Sequence, residues 1–217
     1  MQGLYLVTDR ELCGKRTVEE VVLAAVRGGA RFVQLREKDL STRAFVEEAL
    51  RIRRKLRPLG VPLIVNDRLD VALASDADGV HVGQDDMPYE ISRRLMGPDA
   101  LIGLSVEKWE DVVRAQTLDV GYLGVSPVFD TPTKTDTKGR WGLEGLARIR
   151  AFSRHPLVAI GGLHSGNARD AVLAGADCIA VVSAVCSADD PEAAARELTE
   201  IIHRALEERA PSGRHIS

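Results

Sequence analysis

Short apolar runs, each ending in a polar residue and followed by an amphipathic stretch, recur from one end of the chain to the other. Gly3 to Val7, Phe32 to Arg36, Leu63 to Val65, Gly79 to Val82, Leu101 to Ser105, Tyr122 to Val125, Leu157 to Ile160 and Cys178 to Val182 all have the length and content of buried strands. The stretches between them carry helix punctuation. Thr17 with Glu20 three residues later is a capping-box pattern, and Gly28-Gly29 stops that helix. Ser41 opens a long helix with apolar positions Phe45, Leu50, Ile52 and Leu56, ending near Pro58-Leu59-Gly60. Further helices are expected up to Ser75, after Pro88, from about Lys108 to Thr117, around Leu143, Leu146 and Ile149, over Asn167 to Ala174, and from Pro191 to about Arg209.

Strands alternating with helices specify a parallel β/α architecture. Eight units with a first strand starting at residue 3 favour a single-domain (β/α)8 TIM barrel over residues 1–209, with a doubly wound open sheet as the competing arrangement. Ala210 to Ser217 holds Pro211 and Gly213 and reads as a flexible C-terminal tail. In such a barrel, function sits at the C-terminal strand ends, where the polar tips fall. The fold alone does not name the ligand.

Composition narrows the class. With 217 residues and 45% hydrophobic content the chain can bury one substantial core, and no Pro/Ser/Gly-rich linker divides it. A net charge of −3 argues against broad nucleic-acid binding, so any important cations act locally. The opening Met1-Gln2-Gly3-Leu4-Tyr5-Leu6-Val7-Thr8-Asp9 is too short an apolar run for a signal peptide, and no stretch approaches a membrane span. Cys13, Cys178 and Cys186 are odd in number and lack metal-ligand spacing, which fits a reducing interior. The expectation is a soluble cytoplasmic protein.

The tips carry the candidate chemistry. Gln34, Arg36 and Lys38 alternate, so a strand continued that far would aim a glutamine and two cations to one face, as in an anion site. A charged strand-to-helix loop is the plainer alternative. Gly161-Gly162 and Val182-Ser183-Ala184 follow the last two strands, where barrel loops often form a phosphate site from backbone N–H groups; a tight turn is the alternative. Asn66-Asp67 and Asp85-Asp86 end neighbouring strands and could share a hard cation, although helix caps also explain single aspartates there. Phe129 to Lys138 is a long, hydroxyl-rich loop with two lysines, of a length common in functional lids and mobile segments; ordinary surface solvation is the alternative. His81 and His155 read as structural, and no nucleophile–His–carboxylate set is evident.

In this order and spacing, Leu4-Tyr5-Leu6-Val7-Thr8-Asp9, Gln34-Leu35-Arg36-Glu37-Lys38, Asn66-Asp67, Gly79-Val80-His81-Val82-Gly83-Gln84-Asp85-Asp86, Thr131-Pro132-Thr133-Lys134, Ile160-Gly161-Gly162 and Val182-Ser183-Ala184 make the chain resemble the thiamin phosphate synthase family along nearly its whole length. The resemblance implies condensation of an aminopyrimidine methyl pyrophosphate with a thiazole or carboxythiazole phosphate, giving thiamin phosphate and pyrophosphate. It implies that Gln34, Leu35, Arg36, Glu37, Lys38, Asn66, Ser105 and Lys134 bind the pyrimidine substrate. Asp67 and Asp86 would hold Mg2+, and Thr131, Pro132, Thr133, Gly162, Val182 and Ser183 would bind the thiazole phosphate. The family's chemistry is dissociative, so Arg36, Lys38, Lys134 and the metal would neutralise a departing anion, Ser105 would be catalytic beside the pyrimidine, and no strong base is needed. Implied partners are small molecules, without nucleic acid or membrane, and a homo-oligomer is left open. A thiazole tautomerase-like relative on the same barrel is the alternative; it should lack the acidic pair and the Thr-x-Thr-Lys loop. A non-catalytic phosphate-ligand sensor lacks a visible partner module, and a sugar-phosphate isomerase would require a poised base.

Overall fold

A computed structural model of the chain describes residues 1–130 and 139–209. Among them β1 (Gly3–Val7), β2 (Phe32–Leu35), β3 (Leu63–Asn66), β4 (Gly79–Val82), β5 (Leu101–Val106), β6 (Tyr122–Val125), β7 (Leu157–Ala159) and β8 (Cys178–Val181) pair in parallel and in sequence order. The last strand closes on the first, with Gly3 opposite Cys178 and Leu6 opposite Val181. Closure removes the two free edges that a doubly wound sheet would keep, so the chain is a single-domain (β/α)8 barrel.

The helices are α1 (Val18–Arg27), α2 (Thr42–Leu56), α3 (Leu69–Ala74), α4 (Tyr89–Met96), α5 (Trp109–Ala115), α6 (Gly142–Phe152), α7 (Ala168–Leu173), α8 (Ser183–Cys186) and α9 (Pro191–Arg209). At the start of α1 the Thr17 hydroxyl accepts from the Glu20 N–H at 3.2 Å, and Thr17 N–H donates to the Glu20 carboxylate at 2.7 Å. That reciprocal cap satisfies two otherwise orphaned donors and is worth about 1 kcal/mol. In α2, Phe45, Ala49, Ile52 and Leu56 form the buried face, whereas the expected core position Leu50 is 39% exposed. Five residues beyond Phe45 turn the helix about 140° from that face. Short α8 has no sequence signal, because four residues are too few to show a period.

Period-two alternation divides the strand side chains between two cores. Leu4, Leu6, Val33, Leu35, Leu63, Val65, Val80 and Val82 face outward against the helices. Tyr5, Val7, Ile64, Tyr122, Val158, Cys178 and Ala180 fill the barrel itself. At the N-terminal face, Asp177 accepts from Leu157 N–H at 2.9 Å and pairs with Arg150 at 3.0 Å and Arg209 at 2.8 Å, tying β7, α6 and α9 together. The opposite face is left for chemistry. Among the described residues no helix is long and apolar enough to cross a membrane. The expected tail, residues 210–217, lies outside the described residues.

Candidate active site

The first tip departs from its expected geometry. β2 stops at Leu35 rather than Arg36, because the Arg36 N–H turns to the buried Thr8 hydroxyl at 3.0 Å instead of continuing a strand ladder. The shared face therefore breaks up. Gln34 points into the barrel, where its side-chain amide donates to the Tyr5 hydroxyl at 3.0 Å. Arg36 reaches back to Asp9, with Nη1 3.3 Å from Oδ2. Lys38 stays exposed, with no polar partner among the described residues. Leu35 is fully buried in the outer core, so it can offer a ligand only backbone groups.

The Glu37 side chain is nearly buried in an ion pair. Its carboxylate accepts two hydrogen bonds from Arg10, at 3.0 and 2.9 Å, and Arg10 in turn contacts Glu48 on α2. Loss of hydration raises the Glu37 pKa, while the Arg10 hydrogen bond opposes the rise. The arginine clamped between two glutamates braces the β2–α2 turn. Thr8, Asp9 and Arg10 have no individual role legible in the sequence. Their strand-tip position next to β2 is decided by the β1–β2 pairing, in which Val7 lies opposite Gln34.

The acidic pair does assemble. Asp67 has φ 61°, a left-handed conformation uncommon outside glycine but tolerated by Asp. Its N–H donates to the His81 carbonyl at 2.8 Å, which draws the end of β3 onto β4. Asn66 Nδ2 donates to Asp67 Oδ2 at 2.7 Å, and Gly83 N–H donates to Asp86 Oδ2 at 2.7 Å. Lost hydration, and then contact with the Asp86 carboxyl, push Asp67 up to about 7, with Arg36 pulling the other way. Helix capping does not account for these residues, since α3 is capped at Arg68 and α4 at Pro88, neither through a side chain.

Among the described residues no three His, Cys, Asp or Glu side chains converge as a metal cluster. Two carboxylates that crowd each other still fit Mg2+, which commonly takes one or two protein carboxylates and completes its shell with water and substrate phosphate.

Inside the barrel an uninterrupted hydrogen-bonded chain runs beneath the mouth. From Gln34 it passes to the Tyr5 hydroxyl, then to the Tyr122 hydroxyl at 2.9 Å, to His81 Nδ1 at 2.9 Å, and from His81 Nε2 to Ser105 Oγ at 2.8 Å. Burial pushes both phenols well above their ordinary pKa, so they remain protonated. The structural reading of His81 from the sequence is incomplete. The imidazole does pack against the Tyr122 ring, but it also holds Ser105, with a phenol where a triad would carry a carboxylate. The available signal is strand parity: Tyr5, Gln34, His81, Ser105 and Tyr122 all occupy inward positions. His155, by contrast, is buried outside the mouth with Nε2 on the Ala115 carbonyl at 3.0 Å.

The remaining tips lie on the β6–β8 side. Gly161 and Gly162 have φ of 101° and 65°, positive values that glycine adopts without strain. They do more than admit a ligand. Phe129 N–H donates to the Gly161 carbonyl at 3.1 Å, and a Cβ on Gly162 would collide with Phe129 and Asp130. The glycine turn is thus packed under the segment leading to residues 131–138. Thr131, Pro132, Thr133 and Lys134 lie outside the described residues. Val182 precedes α8, and exposed Ser183 begins it, bringing the N–H groups that a first helical turn leaves without intrahelical acceptors.

The chain is similar to known proteins over most of its length. A thiamine-phosphate synthase from Albidiferax ferrireducens is 58% identical over 199 residues, covering 92% of this chain and 91% of the relative. Another from Leptospira biflexa is 52% identical over 198 residues, covering 89% and 94% of the two chains. The solved thiamine phosphate pyrophosphorylase from Pyrococcus furiosus superposes with a TM-score of 0.86 at 40% identity, over 94% of this chain and 97% of that one. A 3-hexulose-6-phosphate synthase, at 18% identity and a TM-score of 0.67, shares the fold alone. The family model for thiamine monophosphate synthase matches residues 4–185, from the first strand into the helix that begins at Ser183, and the chain belongs to that family.

Proposed function

We propose that this chain is a transferase that condenses 4-amino-2-methyl-5-(diphosphooxymethyl)pyrimidine with a thiazole or carboxythiazole phosphate, giving thiamin phosphate and pyrophosphate. The observation that carries the reading is the Asp67–Asp86 carboxyl pair at the barrel mouth with Arg36 electrostatically in reach of it. A pair of crowded carboxylates beside an arginine suits a pyrophosphate bound together with a divalent cation better than either group alone. A tautomerase-like relative would not need that pair.

In this reading the pyrimidine ring descends toward Gln34 and Ser105, and its pyrophosphate lies among Arg36, Lys38, Asn66 and Lys134. Leu35 and Glu37 contribute through the backbone of the same turn. Asp67 and Asp86 would hold Mg2+, which supplies Lewis-acid neutralisation of the pyrophosphate oxygens. Arg36, Lys38 and Lys134 meet the negative charge that grows as the carbon–oxygen bond breaks, and Ser105 lies near the ring that carries the positive charge left behind. Preorganised donors of this kind are worth roughly 3 kcal/mol each. The thiazole phosphate lies against Gly162, Val182 and Ser183, with Thr131, Pro132 and Thr133 as further ligands, and its nitrogen attacks the carbon that the pyrophosphate has left. Cytoplasmic placement and action without nucleic acid or membrane complete the proposal.

The test is direct: purified protein is mixed with both substrates and Mg2+, and thiamin phosphate and pyrophosphate are measured. Equimolar formation of the two, absent when either substrate or the cation is omitted, is expected. Release of pyrophosphate without coupling, or turnover of the thiazole alone, would overturn the reading.

A further inference from the structure

The Gln34–Tyr5–Tyr122–His81–Ser105 chain has a direction, and the direction follows from counting protons. Gln34 donates an amide N–H to the Tyr5 oxygen. Among the described residues Tyr5 has one other side-chain hydrogen-bond partner, the Tyr122 hydroxyl, and it is 1% exposed. If Tyr122 donated to Tyr5, the Tyr5 proton would be buried without an acceptor, at a cost of about 1–3 kcal/mol. Tyr5 therefore donates to Tyr122. Having accepted that proton, Tyr122 gives its own to His81 Nδ1. A ring that accepts at Nδ1 carries its hydrogen on Nε2, which then donates to Ser105 Oγ.

The barrel is built around this chain. A Cβ on Gly103 would run into the Tyr122 ring and His81 Nδ1, and a Cβ on Gly124 would stand 2.8 Å from His81 Cε1. Both glycines occupy inward positions, on β5 and β6, where a larger residue would displace the imidazole. His81 and Tyr122 are also stacked, with ring centroids 5.5 Å apart, so rotation of either ring is restricted.

We infer that His81, Tyr122 and Tyr5 are positioning residues that fix Ser105 as a hydrogen-bond donor to the bound ring, so the site selects a heterocycle presenting an unprotonated ring nitrogen over one presenting N–H. Ser105 Oγ accepts from His81 Nε2, so its own proton is not spent on the imidazole and is left for the ligand. The inference rests on the proposed location of the pyrimidine at Ser105. The chain's two ends, Gln34 and Ser105, are the two side chains assigned to that ring, so the polarity of one sets the polarity of the other.

Two measurements test it. In wild-type protein labelled with 15N-histidine, the His81 ring shifts should place the proton on Nε2 before any substrate is added. A proton on Nδ1 would overturn the inference whatever the enzyme does. In kinetics, Tyr122→Phe deletes one hydroxyl and keeps the ring. It should lower kcat/KM for the pyrimidine substrate about tenfold, the worth of one hydrogen bond, and leave KM for the thiazole unchanged. On a Ser105→Ala background the same change should cost nothing further. An equal loss in both backgrounds would mean that Tyr122 does not act through Ser105. Full activity of Ser105→Ala would instead remove the pyrimidine location on which the inference stands, an outcome separate from the ring-proton result.

Discussion

A Cβ added to Gly162 would stand 2.5 Å from the carbonyl oxygen of Asp130. That contact couples the β7–α7 turn to the root of the loop carrying Thr131 to Lys134. A glycine serving only a thiazole phosphate would, when substituted, raise KM for the thiazole and spare the pyrimidine. With Asp130 in the way, and φ at 65° as well, Gly162→Ala should impair both substrates. Steady-state kinetics with each substrate varied in turn will decide; an unchanged pyrimidine KM and kcat would mean that the loop root does not move.

Asp67 and Asp86 should make cation binding depend on pH. Asp67 is raised to about 7 by lost hydration and by Asp86, so it is roughly a tenth ionised at pH 6 and nine-tenths at pH 8. A divalent cation competes with that proton, and its affinity should rise about tenfold between those values. For folding the sign is the reverse: without a cation, the stability associated with Asp67 is full below its ordinary value and is lost as pH rises through about 7. Calorimetric titration of Mg2+ at the two pH values measures the first effect. Asp86→Asn should shift the dependence to lower pH, and Asp67→Asn should abolish it along with most activity.

Arg36 and Lys38 should separate activity from stability. Arg36 holds Asp9 at 3.3 Å in a partly buried pair, and Lys38 is exposed. Arg36→Ala should cost about 1 kcal/mol of stability but roughly a hundredfold in kcat. Lys38→Ala should leave the thermal midpoint unchanged and still lower kcat. A melting curve beside the kinetics provides the check, and near-normal turnover of either folded variant would make these cations structural.

Lys134 is proposed to meet the pyrophosphate as it leaves, so its charge counts more in the transition state than in the bound substrate. Lys134→Ala should lower kcat at saturating substrates while direct binding of the intact pyrimidine pyrophosphate weakens little. If binding falls in proportion to rate, the lysine acts on the ground state.

The barrel is legible in the sequence because each strand is an apolar run bounded by a glycine, proline or capping residue, and these are local signals. Gly3–Val7, Gly79–Val82 and Tyr122–Val125 are legible to the residue. Ends shift where a tertiary partner decides them: Arg36 leaves β2 for the Thr8 hydroxyl. Leu50 turns outward by helical geometry although it is apolar. The pairing of Asp67 with Asp86 follows from adjacent strands in a parallel fold, so order alone suggests it.

What the sequence by itself determined was which residue types stand at which strand tips, since a strand's beginning and end are written in its own few residues. Only the closed barrel decided what those tips touch. Glu37, a plausible ligand by its place between Arg36 and Lys38, is taken by Arg10. Gln34 and Ser105, which are 71 positions apart, are joined through Tyr5, Tyr122 and His81. That connection crosses the barrel interior between β2, β1, β6, β4 and β5. No local pattern encodes it, because hydrogen-bond partners across a barrel are fixed by register and closure rather than by neighbours in the chain.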